Sequence, residues 1–291
     1  MSFMILNRRN FLKSTTLGAL GLGLASRALA ARSGPFARFG IHPFIENHPE
    51  AVFIMRTDIG HKFDSAAKRE AGLAFGQSVF VRRDESGMPL NTSIPVKLNL
   101  KTTDAGRYPL ELILGCITDP FFAEGMFGSM KELGIPASNI HLRENDRGDS
   151  FKTYGVLDMT ERAGVDFRTD LAGEIGKPLR EGEHFNWTEI PDGRWFKKIP
   201  QLEGINAPDS WLLNVSKFKA HGMGLTLCCK NLQGIVARPF TSFCHPAGAG
   251  LAVSPEYLHE DAVEKMHASY ERHVRDRQIP RWDRPGPQGG V

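Results

Sequence analysis

Short apolar runs of strand length alternate along the chain with longer stretches of helical spacing, and this alternation limits the possible folds more than any other feature. Ala51-Val52-Phe53-Ile54-Met55 reads as a buried strand, Ser65 to Val81 has the apolar spacing of a helix, and Ile94 to Leu100 reads as a second strand. Leu110 to Gly115 is a third apolar run and leads to Thr118-Asp119-Pro120, where Asp119 is predicted to cap a helix that Pro120 opens. That helix is expected to reach about Leu133 and to be closed by Gly134 and Pro136. Asn139 to Glu144 reads as a strand, Tyr154 to Ala163 as a helix ended by Gly164, and Ser210 to Val215 as another strand. Spacing of this kind fits βαβ crossovers, so the expected class is α/β, a mostly parallel sheet covered by helices. Residues 173–208, rich in Gly, Pro and charge and holding Trp187, Trp195 and Phe196, are expected to form an irregular insertion packed by its aromatics.

The amino terminus carries a separate message. Asn7-Arg8-Arg9-Asn10-Phe11-Leu12-Lys13 sets an arginine pair ahead of Phe-Leu-Lys, the pattern read by the twin-arginine translocase. An apolar run from Ser14 to Ala25 follows, then Ala28-Leu29-Ala30, a small-x-small cleavage signal, so residues 1–30 read as a signal peptide cut after Ala30. The run is shorter than the roughly 20 apolar residues of a spanning helix, so no stable membrane anchor is expected after cleavage. The expected location is periplasmic. The twin-arginine route carries folded proteins, often ones already loaded with a cofactor.

Removing the signal changes the charge balance. It takes Arg8, Arg9, Lys13 and Arg27 and no acid, so of 36 basic side chains 32 remain against 33 acidic ones. A near-neutral chain gives no reason to expect nucleic acid as a partner. The expected layout is one α/β domain over 31–280, with 281–291 as a flexible tail or a truncated end. Cys116, Cys228, Cys229 and Cys244 include no Cys-x-x-Cys pair, so an iron–sulfur cluster ligated by this chain alone is not expected. A Cys116 to Cys244 disulfide and free thiols are both open. Near the end, Leu258, Ala262, Met266, Tyr270 and Val274 form an apolar helical stripe, with His259, His267 and His273 read as part of a solvated charged face.

Chemistry concentrates between Trp211 and Gly234. A strand runs into a segment holding Lys217, Lys219, His221, Gly222 and Gly224, and a helix is expected from about Thr226. Ligands of open α/β sheets bind outside the carboxyl ends of strands. The glycines would let a ligand approach the backbone, and the lysines suit a carboxylate or a phosphate. The P-loop pattern is absent. The structural alternative is that the lysines are solvated and His221 satisfies a backbone carbonyl.

Ser216-Lys217-Phe218-Lys219-Ala220-His221 and Lys230-Asn231-Leu232-Gln233-Gly234 resemble the hallmark of the prokaryotic family catalogued as domain of unknown function 362, a Pro/Ser-Lys-x-Lys-x-His loop followed by a Lys-Asn-x-x-Gly helix. Lys97-Leu98-Asn99 is similar to the family's Lys-Pro-Asn, with Leu98 in place of proline, and Thr118-Asp119-Pro120 to its Thr-Asp-Pro helix start. The resemblance covers about residues 50–245. It implies a site in which Lys219 and His221 are the candidate catalytic groups, with Lys217, Lys230, Asn231, Gly222, Gly224, Thr226, Lys97 and Asn99 as ligand-binding residues. Family members fused to ferredoxin-like modules imply an electron-transfer partner and redox chemistry. The family's Asp-Gly segment and Gly-Asn-Gly-Pro turn are not found here.

A second candidate is Glu144-Asn145-Asp146-Arg147-Gly148-Asp149, where Glu144 and Asp146 could hold a hard cation or act as base, against an Asx-rich surface turn. His245 with Cys244 could ligate a softer metal. Three functions follow: an anion-holding enzyme of redox type, its cofactor unknown or a metal ion; a non-catalytic binding or maturation protein; and a metal-dependent hydrolase using Glu144, Asp146 and His221.

Overall fold

A computed structural model describes residues 38–100, 114–145, 148–168, 179–193, 196–221, 224–237 and 255–259, with Glu264 and Ala268. The expected signal peptide, most of the 110–115 run, Asp146, Trp195, Gly222, Cys244, His245, the tail, and most of the last predicted helix lie outside the described residues.

The chain divides into two compact units. Among the described residues the smaller takes in Arg38–Gly40 with Arg82–Pro89. Of the strands β1 (Arg38–Ile41), β2 (Phe80–Arg83) and β3 (Met88–Pro89), β1 and β3 pair antiparallel with Arg38 opposite Pro89 and Phe39 opposite Met88. The Arg38 guanidinium donates to the Gly87 carbonyl at 2.8 Å.

The larger unit opens with a one-turn helix, α1 (Pro43–Glu46), and an extended stretch leading to α2 (Ser65–Val79). The strand expected at Ala51–Met55 is not formed. Val52 and Ile54 are 83% and 70% exposed, and among the described residues no neighbouring strand pairs with the run. α2 begins where Asp64 accepts a hydrogen bond from the Ala67 amide at 2.9 Å.

Four strands form the parallel sheet: β4 (Ile94–Leu98), β5 (Ile140–Leu142), β6 (Asp166–Phe167) and β9 (Leu213–Val215), in the order β6-β5-β4-β9. Between β4 and β5 runs α3 (Pro120–Glu132), and between β5 and β6 run α4 (Gly148–Thr153) and α5 (Val156–Ala163). The expectations for these elements hold closely. Asp119 caps α3 by accepting from the Phe121 and Phe122 amides at 3.0 and 3.3 Å, and Gly134 and Gly164 adopt positive φ beyond the ends of α3 and α5. All five residues of β4 are buried, as in a central parallel strand.

α2 and α3 touch backbone to backbone. A Cβ on Gly72 would lie 2.0 Å from the Phe122 carbonyl oxygen, and one on Gly125 2.0 Å from that of Arg69, so each helix presents glycine where the other passes. The Lys68 ammonium of α2 bonds the Asp119 carboxylate at 2.6 Å and ties the two helix starts together.

Within the expected insertion, β7 (Phe185–Glu189) and β8 (Lys198–Leu202) make an antiparallel hairpin with Trp187 opposite Pro200. Trp187 stacks on Tyr257 at 4.6 Å between centroids, with the Lys198 ammonium over both rings. Leu202, Ile205, Ile235 and Ala237 pack as one apolar cluster, and the Ala237 amide donates to the Pro200 carbonyl at 2.8 Å. The hairpin thereby supports the segment that follows β9.

That segment departs from expectation. In place of a loop, β10 (Lys219–His221) and β11 (Gly224–Thr226) pair antiparallel, Lys219 opposite Thr226 and His221 opposite Gly224. The helix, α6 (Cys228–Asn231), lasts one turn before a 3₁₀ turn over Leu232–Ile235. Thr226 is the last residue of β11, and the helix expected near it starts two residues later, at Cys228.

Candidate functional site at the carboxyl ends of β4 and β9

The strand order fixes where a ligand can enter. The chain steps outward from β4 to β5 to β6 and then returns to add β9 on the other side of β4, so the order reverses between β4 and β9. In open parallel sheets the crevice at such a reversal, beyond the carboxyl ends of the strands, is the ligand position. Lys97 lies in the last two residues of β4, and Glu144 and Lys217 lie two residues beyond β5 and β9, so the three share one edge of the sheet.

Thr118 bridges the two diverging strands. Its hydroxyl accepts from the Asn99 amide at 2.9 Å and donates to the Val215 carbonyl at 2.8 Å, while its own amide donates to the Asn99 carbonyl at 2.8 Å. Asn99, expected among the ligand-binding residues, is buried at this bridge.

A buried ionic cluster lies at this edge of the sheet. The Lys97 ammonium donates to Glu144 Oε2 at 2.6 Å, to Asn231 Oδ1 at 3.2 Å and to the Leu98 carbonyl, with Lys97 2% and Glu144 3% exposed. Asn231 Nδ2 returns bonds to the Lys97 carbonyl at 3.3 Å and to Asn214 Oδ1 at 2.8 Å. Asn214 Nδ2 in turn donates to the Cys228 carbonyl at 2.9 Å. The second Glu144 oxygen accepts from the Asn145 amide at 2.9 Å, and Asn145 Nδ2 donates to the Gln233 and Val236 carbonyls at 3.2 and 2.8 Å. Glu144, expected as a metal ligand with Asp146, is therefore bonded to Lys97. Among the described residues no three His, Cys, Asp or Glu side chains are grouped so as to hold a metal.

Gly234 completes the cluster. A Cβ there would stand 2.2 Å from Lys97 Cε and 2.7 Å from Glu144 Oε1, so only glycine lets the 3₁₀ turn close over the ion pair. The Lys-Asn-x-x-Gly spacing is thus explained by contact: Asn231 grips Lys97 and Gly234 makes room for it. Lys230, next to Asn231, is half-buried at the end of α6.

The Lys219 ammonium donates to the Cys116 carbonyl at 2.6 Å. Burial holds Lys219 below the ordinary lysine range, with the charges of Lys97 and Lys217 acting in the same direction and those of Cys116 and Glu144 opposing. Ser216 Oγ lies 3.1 Å from Cys228 Sγ, and Cys116, Cys228 and Cys229 are free and exposed. His221 ends β10 and Gly224 starts β11. Sequence reading missed Asn214, Asn145 and the bridging role of Thr118, and no sequence signal marks the first two.

One family profile, described as Domain of unknown function (DUF362), matches residues 94–278, from the first residue of β4 through the whole described site. The chain belongs to the DUF362 family. The matched span starts later than the resemblance at about residue 50 suggested, so the segment before β4, with its exposed run at Ala51–Met55, lies outside the DUF362 match. The Lys97, Thr118, Glu144 and Lys219 positions all fall within the DUF362 span. No curated protein and no solved structure matches the chain significantly.

Proposed function

We propose that this protein, exported by the twin-arginine route, binds a small organic or inorganic anion at the crevice between β4 and β9 and acts on it as an enzyme of redox type. The observation that carries the reading is a charge imbalance. The charges of Lys97 and Lys217 both act on Lys219, and Glu144, the carboxylate acting on Lys219, is bonded to Lys97. The excess positive charge stands at a strand-order reversal, where a carboxylate or phosphate would be held. His221, at the end of β10, is the acid/base candidate. The free thiols Cys116 and Cys228 at the same edge add to the chemistry available there.

Lys219→Met keeps the apolar stem and removes the charge. Binding of acetate or inorganic phosphate, read by calorimetry, should weaken by about 1.5–3 kcal/mol, the range for a charge-assisted hydrogen bond. An unchanged affinity in a folded variant rules the site out.

Export is supported by Arg8 and Arg9 in the amino-terminal pattern. Replacing both with lysine should leave uncut precursor in the cytoplasm, detected by immunoblot of cell fractions. Periplasmic protein beginning at Ala31 in undiminished amount would overturn the assignment. Among the described residues, no helix is long and apolar enough to cross a membrane.

A further inference from the structure

We propose that the protein pairs with a second copy of itself, the Val52–Met55 run of each copy adding a strand along β11 of the other.

Each half of this contact is incomplete within one copy. From Val52 to Gly60 no backbone amide or carbonyl makes a hydrogen bond among the described residues. The seven large hydrophobic side chains exposed among the described residues fall in just two places: five lie between Phe44 and Phe63, Val52 and Ile54 the most exposed of them, and the other two are Phe218 and Leu227. Phe218 precedes β10 and Leu227 follows β11, so both stand at the same end of that ladder, 65% and 50% exposed. No third strand joins β10 and β11 among the described residues, and a two-stranded hairpin is marginal in water until another strand supports it. An apolar run with open backbone groups and a sheet edge with an open side supply what the other lacks.

Charge selects run against hairpin. Residues 46–60 carry Glu46, Glu50 and Asp58 against Arg56, which pairs with Asp58 at 3.6 Å. Residues 217–230 carry Lys217, Lys219 and Lys230 and no acid. Run against run, or hairpin against hairpin, would set like charges together, whereas run against hairpin sets opposite ones together. Among the described residues no hydrogen bond, ion pair or ring contact joins Val52–Gly60 to the hairpin within one copy. Since every copy carries both the run and the edge, the exchange is reciprocal and closes as a two-fold dimer. It forms whether or not an anion is bound.

The test measures the mass of the mature protein by light scattering over a range of concentrations. The expected result is a dimer that dissociates on dilution, and more readily at high salt. Val52→Ser with Ile54→Ser should raise the dimer dissociation constant about a hundredfold, about tenfold for each apolar side chain removed. Both side chains are exposed in one copy, so the melting temperature measured where the two proteins are monomeric should not change. Ile54→Cys places a thiol on the run. On mild oxidation it should link to Cys228 or Cys229, exposed just beyond β11, and a mixture of light and isotope-labelled protein should show by mass spectrometry that the link joins two copies. A monomer at every concentration overturns the proposal, as does a dimer that the serine replacements leave intact. A link confined within one copy, or one that joins run to run, overturns it too. The thiol link decides the matter even if the serine variant does not fold.

Discussion

Glu144→Gln should destabilise the protein severely, because it keeps the shape of the side chain and leaves the Lys97 ammonium without its counter-charge at a site where both residues are almost fully buried. Breaking a buried pair from one side costs about 3–5 kcal/mol, since the orphaned charge keeps its desolvation penalty. The carbonyl of Leu98 and Asn231 Oδ1 remain as acceptors and place the loss toward the lower end. Against a typical stability of about 5–15 kcal/mol, this is a large fraction of the whole. Urea unfolding of the two proteins measures it. The paired replacement Lys97→Met with Glu144→Leu should recover most of the loss, because apolar side chains of similar volume need no counter-charge. A Glu144→Gln protein as stable as the parent would show that the pair is not buried as described.

Gly234→Ala should be the next most damaging change. The added methyl would meet Lys97 Cε at 2.2 Å and Lys97 Nζ at 2.8 Å, and the lysine cannot swing aside without releasing Glu144. Overpacking of this kind costs about 1–3 kcal/mol, and part of the ion-pair cost adds to it if Lys97 moves. Gly115→Ala is the internal control. Gly115 is exposed, and a methyl added there would meet nothing within 4 Å, so its replacement should stay within about 0.5 kcal/mol of the parent. Equal melting temperatures for the two variants would remove the steric account of the Lys-Asn-x-x-Gly motif.

The parallel sheet was legible because its signals are local. Asp119 and Pro120 mark a helix start, Gly134 and Gly164 mark helix ends, and the apolar runs of β4, β5 and β9 fall between them at crossover spacing. The common edge of Lys97, Glu144 and Lys217 follows from parallel strands alone. Ala51–Met55 shows the limit of this logic: five apolar residues satisfy the strand pattern, but a strand exists only where another supplies hydrogen bonds. The β10–β11 hairpin was signalled, since two residues beginning with Gly222 separate the paired His221 and Gly224, a usual hairpin spacing. The signal was masked by the expectation that a strand in such a sheet leads to a helix. The Glu144 to Lys97 bond was not legible at all, because the partners lie 47 residues apart and a carboxylate near a strand end looks the same whether it awaits a metal or faces an ammonium.

The Thr118 hydroxyl has a consequence for affinity. By joining the Asn99 amide to the Val215 carbonyl, it ties β4 to β9 at the last pair of their ladder. The carboxyl ends of the two strands are therefore held in place by residues of the protein itself. A ligand binding there loses its own freedom of motion but need not order the strands around it, so more of its contact energy is expressed as binding. The buried ion pair acts in the same sense, since this edge of the sheet is pinned from β4, β5 and the 3₁₀ turn at once. If the proposed anion binds at this edge, selectivity among anions should follow their size as much as their charge.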